Sequence, residues 1–284
     1  MGKARAVCHD PRTVLHPLHP LSPDEIRAAA AIARTADAAD DAVFISLQLR
    51  EPAKEAYYAW ADEGGARPAR RARCAIYDRE RRVREITVDL DAGAIDEDVH
   101  FPNAYPPITP DEYVAVERSV KANPLMIDAL AARGITDMDQ VQIDVLASAN
   151  MGHPLDGKHR YARAVPYLRG PLGMNSYARP IESLLAFVDL DTHEILEIEE
   201  YDVKPIPEAD GEYRTGTVPA RTDVKPIEIT QPDGVSFTVD GNRVRWFDWE
   251  FSASLEAQDG LVIHDVRYRG RRIMHRASCA EMIV

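Results

Sequence analysis

One stretch near the C-terminal end of the sequence limits the fold more than any other feature. Over residues 225–284, short runs of alternating apolar and polar residues are separated by turn signals such as Asp240-Gly and Arg269-Gly. This pattern is typical of half-buried antiparallel strands that are joined by hairpins. It predicts an antiparallel sheet in this part of the chain.

The run from Phe247 to Leu255 is the clearest of these strands. Its odd-numbered residues are apolar and its even-numbered residues are polar, which predicts one aromatic-rich face and one polar face. Phenylalanine and tryptophan side chains bury on the order of 150–250 Å² each, so such a face needs a second sheet to cover it. Residues 225–284 contain too few strands to form that sheet. We therefore expect either that the rest of a β-sandwich lies outside these residues or that another chain supplies it.

Two helix-start signals of the same kind lie 87 positions apart. Ser22-Pro-Asp-Glu25 and Thr109-Pro-Asp-Glu112 each place a capping hydroxyl before a proline, with a glutamate three residues after the cap. A helical pattern and then alternating runs follow each signal, so the sequence predicts two copies of a helix followed by an antiparallel sheet. The predicted helices run from Pro23 to near Asp37–Asp41, over Pro110–Lys121 and over Asn123–Arg133, and the predicted strands are Ala42–Leu49, Ala72–Tyr77, Val83–Leu90, Ala94–Val99, Gln140–Ala147, Tyr161–Leu168, Ser183–Leu190 and Glu194–Tyr201, with a loop at Asp62–Arg71.

These patterns predict an α+β protein: two repeated helix-plus-antiparallel-sheet domains, followed by an incomplete antiparallel β-sandwich. The expected boundaries are a tail over residues 1–14, a first small α+β domain over 15–105 and a second over 106–205. Residues 206–224 are rich in proline, glycine and charge and are expected to form a linker. The first strands of the sandwich then occupy residues 225–284.

The charge of the chain disfavours two classes of binding partner. The formal net charge of −13 disfavours nucleic acid and anionic membranes. The arginines between Arg67 and Arg84 alternate with acids and favour a solvated hairpin face over a nucleic-acid site.

The longest uncharged apolar runs are far shorter than the roughly 18 residues that span a bilayer, and no secretory signal is recognisable. Three widely spaced cysteines disfavour a disulfide framework or a zinc cluster and favour reduced thiols in the cytoplasm.

Few residues suggest a reactive site. The sequence lacks the glycine-rich, paired-cysteine and nucleophile-elbow motifs of common enzyme classes. His153 and His159 flank a loop at a spacing that suits a metal, but no cysteine or carboxylate pair completes the set, so a solvated loop is favoured. His264 and His275 lie in predicted strands, where a hydrogen-bonded structural role is favoured.

Several segments match a known family. The matching segments are Lys225–Val239, the strand around Trp246 and Trp249, Gly260–Tyr268, Arg276–Val284, Leu15–Ile26 and Ala132–Ile135. The most specific of them reads Arg276-Ala-Ser-Cys-Ala-Glu-Met-Ile-Val284. The chain resembles the copper- and topaquinone-dependent primary-amine oxidases over nearly its whole length, from about His16 to Val284.

The resemblance implies an architecture and a reaction. Enzymes of this family carry two small α+β domains before a catalytic β-sandwich, and they oxidise primary amines with O2 and water to aldehyde, ammonia and hydrogen peroxide. Their catalytic aspartate, the tyrosine of an Asn-Tyr-Asp/Glu-Tyr motif that becomes topaquinone, and three copper histidines follow the Ala-Glu-Met segment. The tyrosine motif and a His-x-His pair do not occur in these 284 residues. No catalytic, cofactor-binding or metal-ligating residue is therefore assigned to this chain, and copper and topaquinone are expected only in the full-length family.

The resemblance also implies that the second small domain helps to line a substrate entrance. The matching positions are Tyr113, Leu146 and Tyr177. A structural role is the alternative: Tyr113 would pack on the first turn of its helix, and Leu146 would belong to the strand core.

Three functions remain open at this point. The chain is the N-terminal portion of an amine oxidase that is inactive alone, the partner subunit of an oxidase split between two polypeptides, or a non-enzymatic α+β binding module. The expected partners are the rest of the catalytic domain or a second copy of the chain. A primary amine is expected as the substrate of the complete enzyme only.

Overall fold

The computed structural model describes residues 16–36, 42–77, 83–102, 104–148, 152–169, 175–209, 211–214 and 216–279. Within these residues the chain forms four α-helices and three antiparallel sheets of four, four and five strands, so the predicted α+β class is confirmed. Two compact units result: one combines the described residues up to Pro106 with those from Ile229 onward, and the other is Pro107–Glu228. No helix in the described ranges has the length and apolar character needed to cross a lipid bilayer.

The first unit begins with a helix packed on a four-stranded meander. Its elements are α1 (Pro23–Ala33), β1 (Val43–Arg50), α2 (Lys54–Glu63), β2 (Arg71–Tyr77), β3 (Val83–Asp89) and β4 (Ala94–Phe101), with the strands in the order β1-β2-β3-β4. Ala29 and Ala33 of α1 meet alternate residues of the central strands, including Ile76 and Ile86, and all four are buried. Helix α1 ends earlier than the expected Asp37–Asp41, a segment outside the described residues.

Helix α2 occupies a position where no helix was expected. The loop expected at Asp62–Arg71 is wrong for its first two residues, which belong to α2, and for Arg71, which begins β2. The helix begins without a side-chain cap, because Ala53 occupies the N-cap position and its side chain has no hydrogen-bond acceptor. It ends at Gly64, which adopts the left-handed conformation with φ of +72°. The start signal that revealed the other helices is therefore missing here.

The second unit repeats the plan of a helical layer on an antiparallel meander. Its elements are α3 (Pro110–Ala122), α4 (Pro124–Ala131), β5 (Val141–Ala147), β6 (Tyr161–Leu168), β7 (Leu184–Asp189) and β8 (Ile195–Glu200), with short 3-10 helices at Met138–Gln140 and Ser176–Ala178. The strand order is β5-β6-β7-β8. Val116, Val120 and Leu130 of the helices pack against the core face of the sheet, where Ile143 and Val145 of β5 are buried.

A buried arginine completes the helix start in both units. The capping boxes predicted at Ser22 and Thr109 both form. In the first unit, Arg70 Nε donates to Glu25 Oε1 at 2.6 Å. In the second unit, Arg160 donates to Glu112 at 2.5 and 2.9 Å. Each arginine is almost fully buried, so the repeat predicted from the helix starts extends to a specific contact with the sheet.

The third sheet belongs to the first unit and is a five-stranded meander. Its strands are β9 (Phe237–Asp240), β10 (Arg243–Trp246), β11 (Trp249–Glu256), β12 (Gly260–Tyr268) and β13 (Arg271–Ser278). The aromatic face of β11 is the exposed one: Trp249 and Leu255 are 39% and 78% exposed, whereas Ser252 and Ser254 are buried. Ser252 lies opposite His264 of β12, whose side chain contacts the first domain. The polar face thus packs on the part of the first unit that contains β1–β4 and their helices. Within the described residues, no second sheet covers the aromatic face.

Candidate functional site

The three residues expected to line a substrate entrance are all exposed. Tyr113 lies in the first turn of α3, Leu146 lies near the end of β5, and Tyr177 lies in the 3-10 helix Ser176–Ala178. The alternative that Leu146 belongs to the strand core does not hold, because its side chain is 42% exposed and lies on the face away from the core.

The structure brings together two of these three residues. Leu146 and Asp144 alternate along β5 with buried residues and lie on its outer face. The Asp144 carboxylate is the main electrostatic neighbour of the Tyr177 hydroxyl, so Tyr177 lies near this face. Tyr113 belongs to α3, which covers the opposite, core face of this sheet.

A short series of polar contacts surrounds Tyr177. Ser176 Oγ donates to Gln142 Oε1 at 2.6 Å, and Gln142 Nε2 donates to Asp144 Oδ1 at 2.8 Å. Hydrogen bonding with Asp144 raises the pKa of the Tyr177 hydroxyl. The Tyr177 ring meets the Tyr167 ring edge-on, with centroids 5.3 Å apart. A carboxylate therefore lies beside two aromatic rings at an exposed surface, an arrangement that suits a cation.

Backbone contacts hold the 3-10 helix of Tyr177 in place. Leu168 N of β6 donates to Arg179 O at 2.9 Å, which ties the segment to the sheet. Gly211 packs against the same 3-10 helix, so closely that a Cβ added to it would clash with the Cβ of Ala178. Because Gly211 also has φ of +57°, this position requires glycine on two grounds.

A second group of polar side chains surrounds His153. The expectation that no carboxylate pair lies near it is wrong, because β8 brings Glu197 and Glu199 close enough to share a cation with it. Yet His153 Nδ1 accepts a hydrogen bond from Leu155 N at 3.3 Å. The neutral ring then carries its proton on Nε2, which lies 3.8 Å from Glu197 Oε2 and would have to be deprotonated to bind a metal. The group suits a histidine–carboxylate pair better than a metal centre.

His159 does not join His153. Its Nδ1 lies 2.9 Å from Asp189 Oδ2, and Asp189 Oδ1 accepts hydrogen bonds from the backbone of Asp191 and Thr192. Burial opposes ionisation of Asp189, but these hydrogen bonds outweigh it and lower its pKa. In the part of the chain that the structure describes, the His153 group is the only set of three potential metal ligands, and it holds one histidine. The residues present therefore do not fit a copper centre built on three histidines.

His264 has the structural role that was predicted for it. The residue is 1% exposed, and its Nε2 lies 2.8 Å from Glu51 Oε1, which also accepts from Arg276 Nε at 2.8 Å. Burial opposes ionisation of Glu51, but these two hydrogen bonds outweigh it and lower its pKa to about 2. His275 differs: its buried Nδ1 has no hydrogen-bond partner among the described residues, and its ring packs edge-on against Tyr58 at 5.4 Å.

Asp265 is a buried carboxylate that the sequence did not reveal. It lies in β12 with φ of +48°, and it accepts hydrogen bonds from Arg272 Nε at 2.7 Å and Arg267 Nε at 3.0 Å. Burial opposes its ionisation, but these arginines and the Tyr57 hydroxyl lower its pKa. Aspartate tolerates the left-handed conformation better than most residues. One aspartate within an alternating strand is nevertheless too weak a signal to predict such a site.

The arginine-rich run is neutralised by acids. Its described members form the pairs Arg67–Asp91, Arg70–Glu25, Arg71–Asp96, Arg73–Glu85 and Arg84–Asp98. Arg70 and Arg84 are buried, so this surface is less solvated than expected. Residues 78–82 of the run lie outside the described residues. The pairing disfavours a nucleic-acid site on the described part.

Comparison with protein-family models gives three matches in sequence order. Residues 16–100 match the model described as copper amine oxidase, N2 domain. Residues 111–216 match the copper amine oxidase N3 domain, and residues 238–284 match the copper amine oxidase enzyme domain. The first two matches coincide with the two helix-plus-sheet folds, and the third begins in β9.

Similar proteins are longer than this chain. It is 38% identical over 279 residues to the primary amine oxidase of Arthrobacter sp. (strain P1), an alignment that covers 95% of this chain and 42% of that enzyme. It is 34% identical over 320 residues to the peroxisomal copper-containing diamine oxidase 1 of Nicotiana tabacum, covering 95% and 40%, respectively. The chain spans about two fifths of the length of the curated relatives it matches.

Solved structures show the same fold. The copper-containing benzylamine oxidase of Hansenula polymorpha superposes with a TM-score of 0.74 at 20% identity, covering 93% of this chain and 44% of that one. The lysyl oxidase PPLO of Pichia pastoris gives a TM-score of 0.68 at 17% identity, covering 96% and 44%. Taken with the three ordered domain matches, these similarities show that the chain belongs to the copper amine oxidase family and corresponds to its N2 and N3 domains and the start of its enzyme domain.

Proposed function

We propose that this chain forms the N-terminal part of a copper-dependent primary-amine oxidase. The complete enzyme would convert R-CH2-NH2, O2 and water to an aldehyde, ammonia and hydrogen peroxide. The observation that carries the proposal is the order of the matched domains, N2, N3 and enzyme domain, along residues 16–100, 111–216 and 238–284. The name of the Arthrobacter relative, a primary amine oxidase, supports the substrate class.

The exposed face of the third sheet supports the same proposal. Large apolar side chains of four strands remain exposed there: Phe237, Trp246, Trp249, Leu255 and Leu261. A contiguous apolar surface of this kind marks a site of contact with another layer. We propose that the rest of the enzyme domain covers it as the second layer of the β-sandwich, since sheets of a sandwich pack face to face at about 10 Å.

The chain's own contribution is to bind and orient. Copper and topaquinone would supply the electron acceptor and the oxygen chemistry of the complete enzyme, and the described residues bring no three histidines together to hold the copper. In the proposal, Tyr113, Leu146 and Tyr177 line the substrate entrance. The exposure of all three residues supports this role, and so does the common face of Leu146 and Tyr177. The chain alone is expected to be inactive, and its cysteine content favours the cytoplasm.

Two other functions compete with this proposal. A split oxidase, in which a second polypeptide carries the rest of the enzyme domain, is compatible with the same exposed sheet face. A non-enzymatic binding module would have to remain monodisperse with Trp246 and Trp249 exposed to solvent. The size of this apolar face makes the module the least favoured of the three.

The experiment that tests the proposal compares the chain alone with the chain joined to an enzyme domain. The 284-residue protein is purified alone, co-expressed with the enzyme domain of the Arthrobacter sp. (strain P1) relative, and fused to it. Copper is supplied, and peroxide formation from benzylamine and phenethylamine is measured. We expect no peroxide from the chain alone and amine-dependent peroxide from the fusion. Activity of the co-expressed pair favours the split oxidase, and amine turnover with stoichiometric copper by the chain alone contradicts the proposal.

A further inference from the structure

The carboxylate of Asp144 lies on the outer face of the second sheet. Its neighbours in β5, Ile143 and Val145, are buried in the core, and Asp144 lies on the opposite face. Among the described residues, Asp144 forms no ion pair. Arg163 of the adjacent strand β6 lies opposite Leu146, on the same face of the sheet as Asp144, but it makes no ion pair with Asp144. The negative charge is therefore available to a ligand.

The polar contacts of this carboxylate fix its orientation without neutralising it. Gln142 Nε2 donates to Asp144 Oδ1 at 2.8 Å, and Ser176 Oγ donates to Gln142 Oε1 at 2.6 Å, so both ends of the Gln142 amide are engaged. The Tyr177 hydroxyl lies close to the same carboxylate and to the Gln142 amide. All of these donors are neutral. Two oxygens that accept several hydrogen bonds still have lone pairs for a further donor.

Two aromatic rings frame the carboxylate. Tyr177 is 61% exposed, and its ring meets that of Tyr167 edge-on at 5.3 Å, which leaves ring surface open to solvent. Gln142, which holds Asp144, lies opposite Tyr167 in the strand register, so both rings flank the same part of the sheet. A carboxylate near an exposed tyrosine ring and a partly buried one attracts organic ammonium groups by charge and by cation–π interaction.

We propose that Asp144, Tyr167 and Tyr177 form a binding subsite for the ammonium group of a primary amine before it enters the catalytic centre. This inference rests on the proposed function, and it adds a residue and a chemical class to the entrance. Aliphatic primary amines are cationic at neutral pH, as the lysine side chain is. Leu146 lies two residues along the same face of β5, about 6.5 Å away, and offers an apolar surface for the carbon chain of the amine.

Two sources of such an ammonium group are possible, a small amine and a lysine side chain of a peptide. The test titrates the ¹⁵N-labelled 284-residue chain with phenethylammonium, with Nα-acetyl-lysine N-methylamide, and with the neutral control 2-phenylethanol. We expect shift changes centred on Asp144, Tyr167 and Tyr177 with either amine, and none there with the alcohol. The tighter of the two amines identifies the source.

Matched variants separate the carboxylate from the rings. Asp144→Asn is expected to weaken amine binding about tenfold, because it removes a charge-assisted hydrogen bond. Tyr177→Ala is expected to weaken it about threefold, and Tyr177→Phe, which keeps the ring, less than twofold. Glu182→Gln, at an exposed carboxylate of the same unit, is expected to leave binding unchanged.

Three results overturn the subsite. They are equal binding of the amine and the alcohol, equal weakening by Asp144→Asn and Glu182→Gln, and wild-type shift changes centred on His153 and Glu197 instead. The last result needs no variant, so it decides the question even if Asp144→Asn fails to fold. Because binding is measured without the enzyme domain, a failure of oxidase activity in the fusion does not affect this test, and loss of the subsite does not by itself refute the oxidase.

Discussion

The Nε2 atom of His264 lies 2.8 Å from the Oε1 atom of Glu51, although 213 residues separate them in sequence. Arg276 Nε donates to the same oxygen at 2.8 Å. Both partners of Glu51 come from the third sheet, and Glu51 itself precedes helix α2 of the first domain. A single half-buried carboxylate thus joins the start of the enzyme domain to the first small domain, and its protonation has consequences for stability.

The low pKa of Glu51 predicts sensitivity to acid. A carboxyl group whose folded pKa lies below its unfolded value contributes stability above the unfolded value, here 4.5, and loses it as the pH falls through the folded value of about 2. We expect the free energy of unfolding of this unit to fall across that window by on the order of 3 kcal/mol from this group. Urea unfolding at a series of pH values measures it. Glu51→Gln should remove this part of the pH dependence, and Glu55→Gln, at an exposed glutamate of α2, should retain it.

A second pH window comes from His16 and His19. Burial is the main reason that the pKa of each is lowered to about 4, followed by the charges of His19 and Arg243 for His16 and of Arg70 and Arg243 for His19. A histidine whose folded pKa lies below its unfolded value of 6.5 favours folding above 6.5, and this contribution is lost as the pH falls toward 4. The double variant His16→Gln/His19→Gln should therefore unfold with a flatter pH profile between 6.5 and 4. His193→Asn, in the turn between β7 and β8, serves as the control. An unchanged profile in the double variant contradicts the assignment.

Replacement of Arg70 by alanine is expected to lower the free energy of unfolding more than replacement of Arg27, a second arginine near helix α1. It is 3% exposed, and besides Glu25 it donates to the backbone oxygens of His16 and His19. Arg70→Ala leaves the carboxylate and these carbonyls without their donor, which should cost about 3–5 kcal/mol in urea unfolding. Arg27→Ala removes an exposed pair with Asp24 and should cost at most about 0.5 kcal/mol. An equal loss of stability in the two variants would show that the buried Arg70–Glu25 pair contributes no more than the exposed Arg27–Asp24 pair.

Gly211 provides a test of the support behind Tyr177. Gly211→Ala places a methyl group against Ala178 at a positive φ, so we expect the 3-10 helix to loosen and its amides to exchange faster with solvent. Gly216→Ala also has a positive φ, +96°, but its added methyl group meets nothing within 4 Å. The difference between the two variants isolates the steric contact. Equal exchange at Ala178 and Arg179 in both variants would show that the contact does not hold this helix.

Local signals in the sequence were sufficient for most of the fold. The capping boxes at Ser22 and Thr109 predicted the starts of α1 and α3. Alternation of apolar and polar residues predicted both ends of every strand in the first two sheets to within two residues. Helix α2 has no cap, so no such signal marked its start.

Long-range contacts could not be predicted in this way. The approach of Glu197 to His153 and of Glu51 to His264 depends on the tertiary fold, which periodicity does not specify. For the same reason, the sequence did not reveal that the aromatic face of β11 is the exposed one. Alternation predicted two faces correctly, but it did not reveal that the first domain covers the polar one through charged contacts such as that of His264.

The most direct test of the central claim measures the solvent exposure of the tryptophans before and after assembly. The chain is labelled with 5-fluorotryptophan, mixed with the unlabelled enzyme domain of the Arthrobacter sp. (strain P1) relative, and studied by ¹⁹F NMR solvent-isotope shifts. The N-terminal segment of that relative, treated in the same way, is the positive control. The account predicts that the resonances of Trp246 and Trp249 lose their solvent-isotope shifts on assembly while that of Trp60 does not change. Assembly of the control without any change at Trp246 and Trp249 of this chain would contradict it.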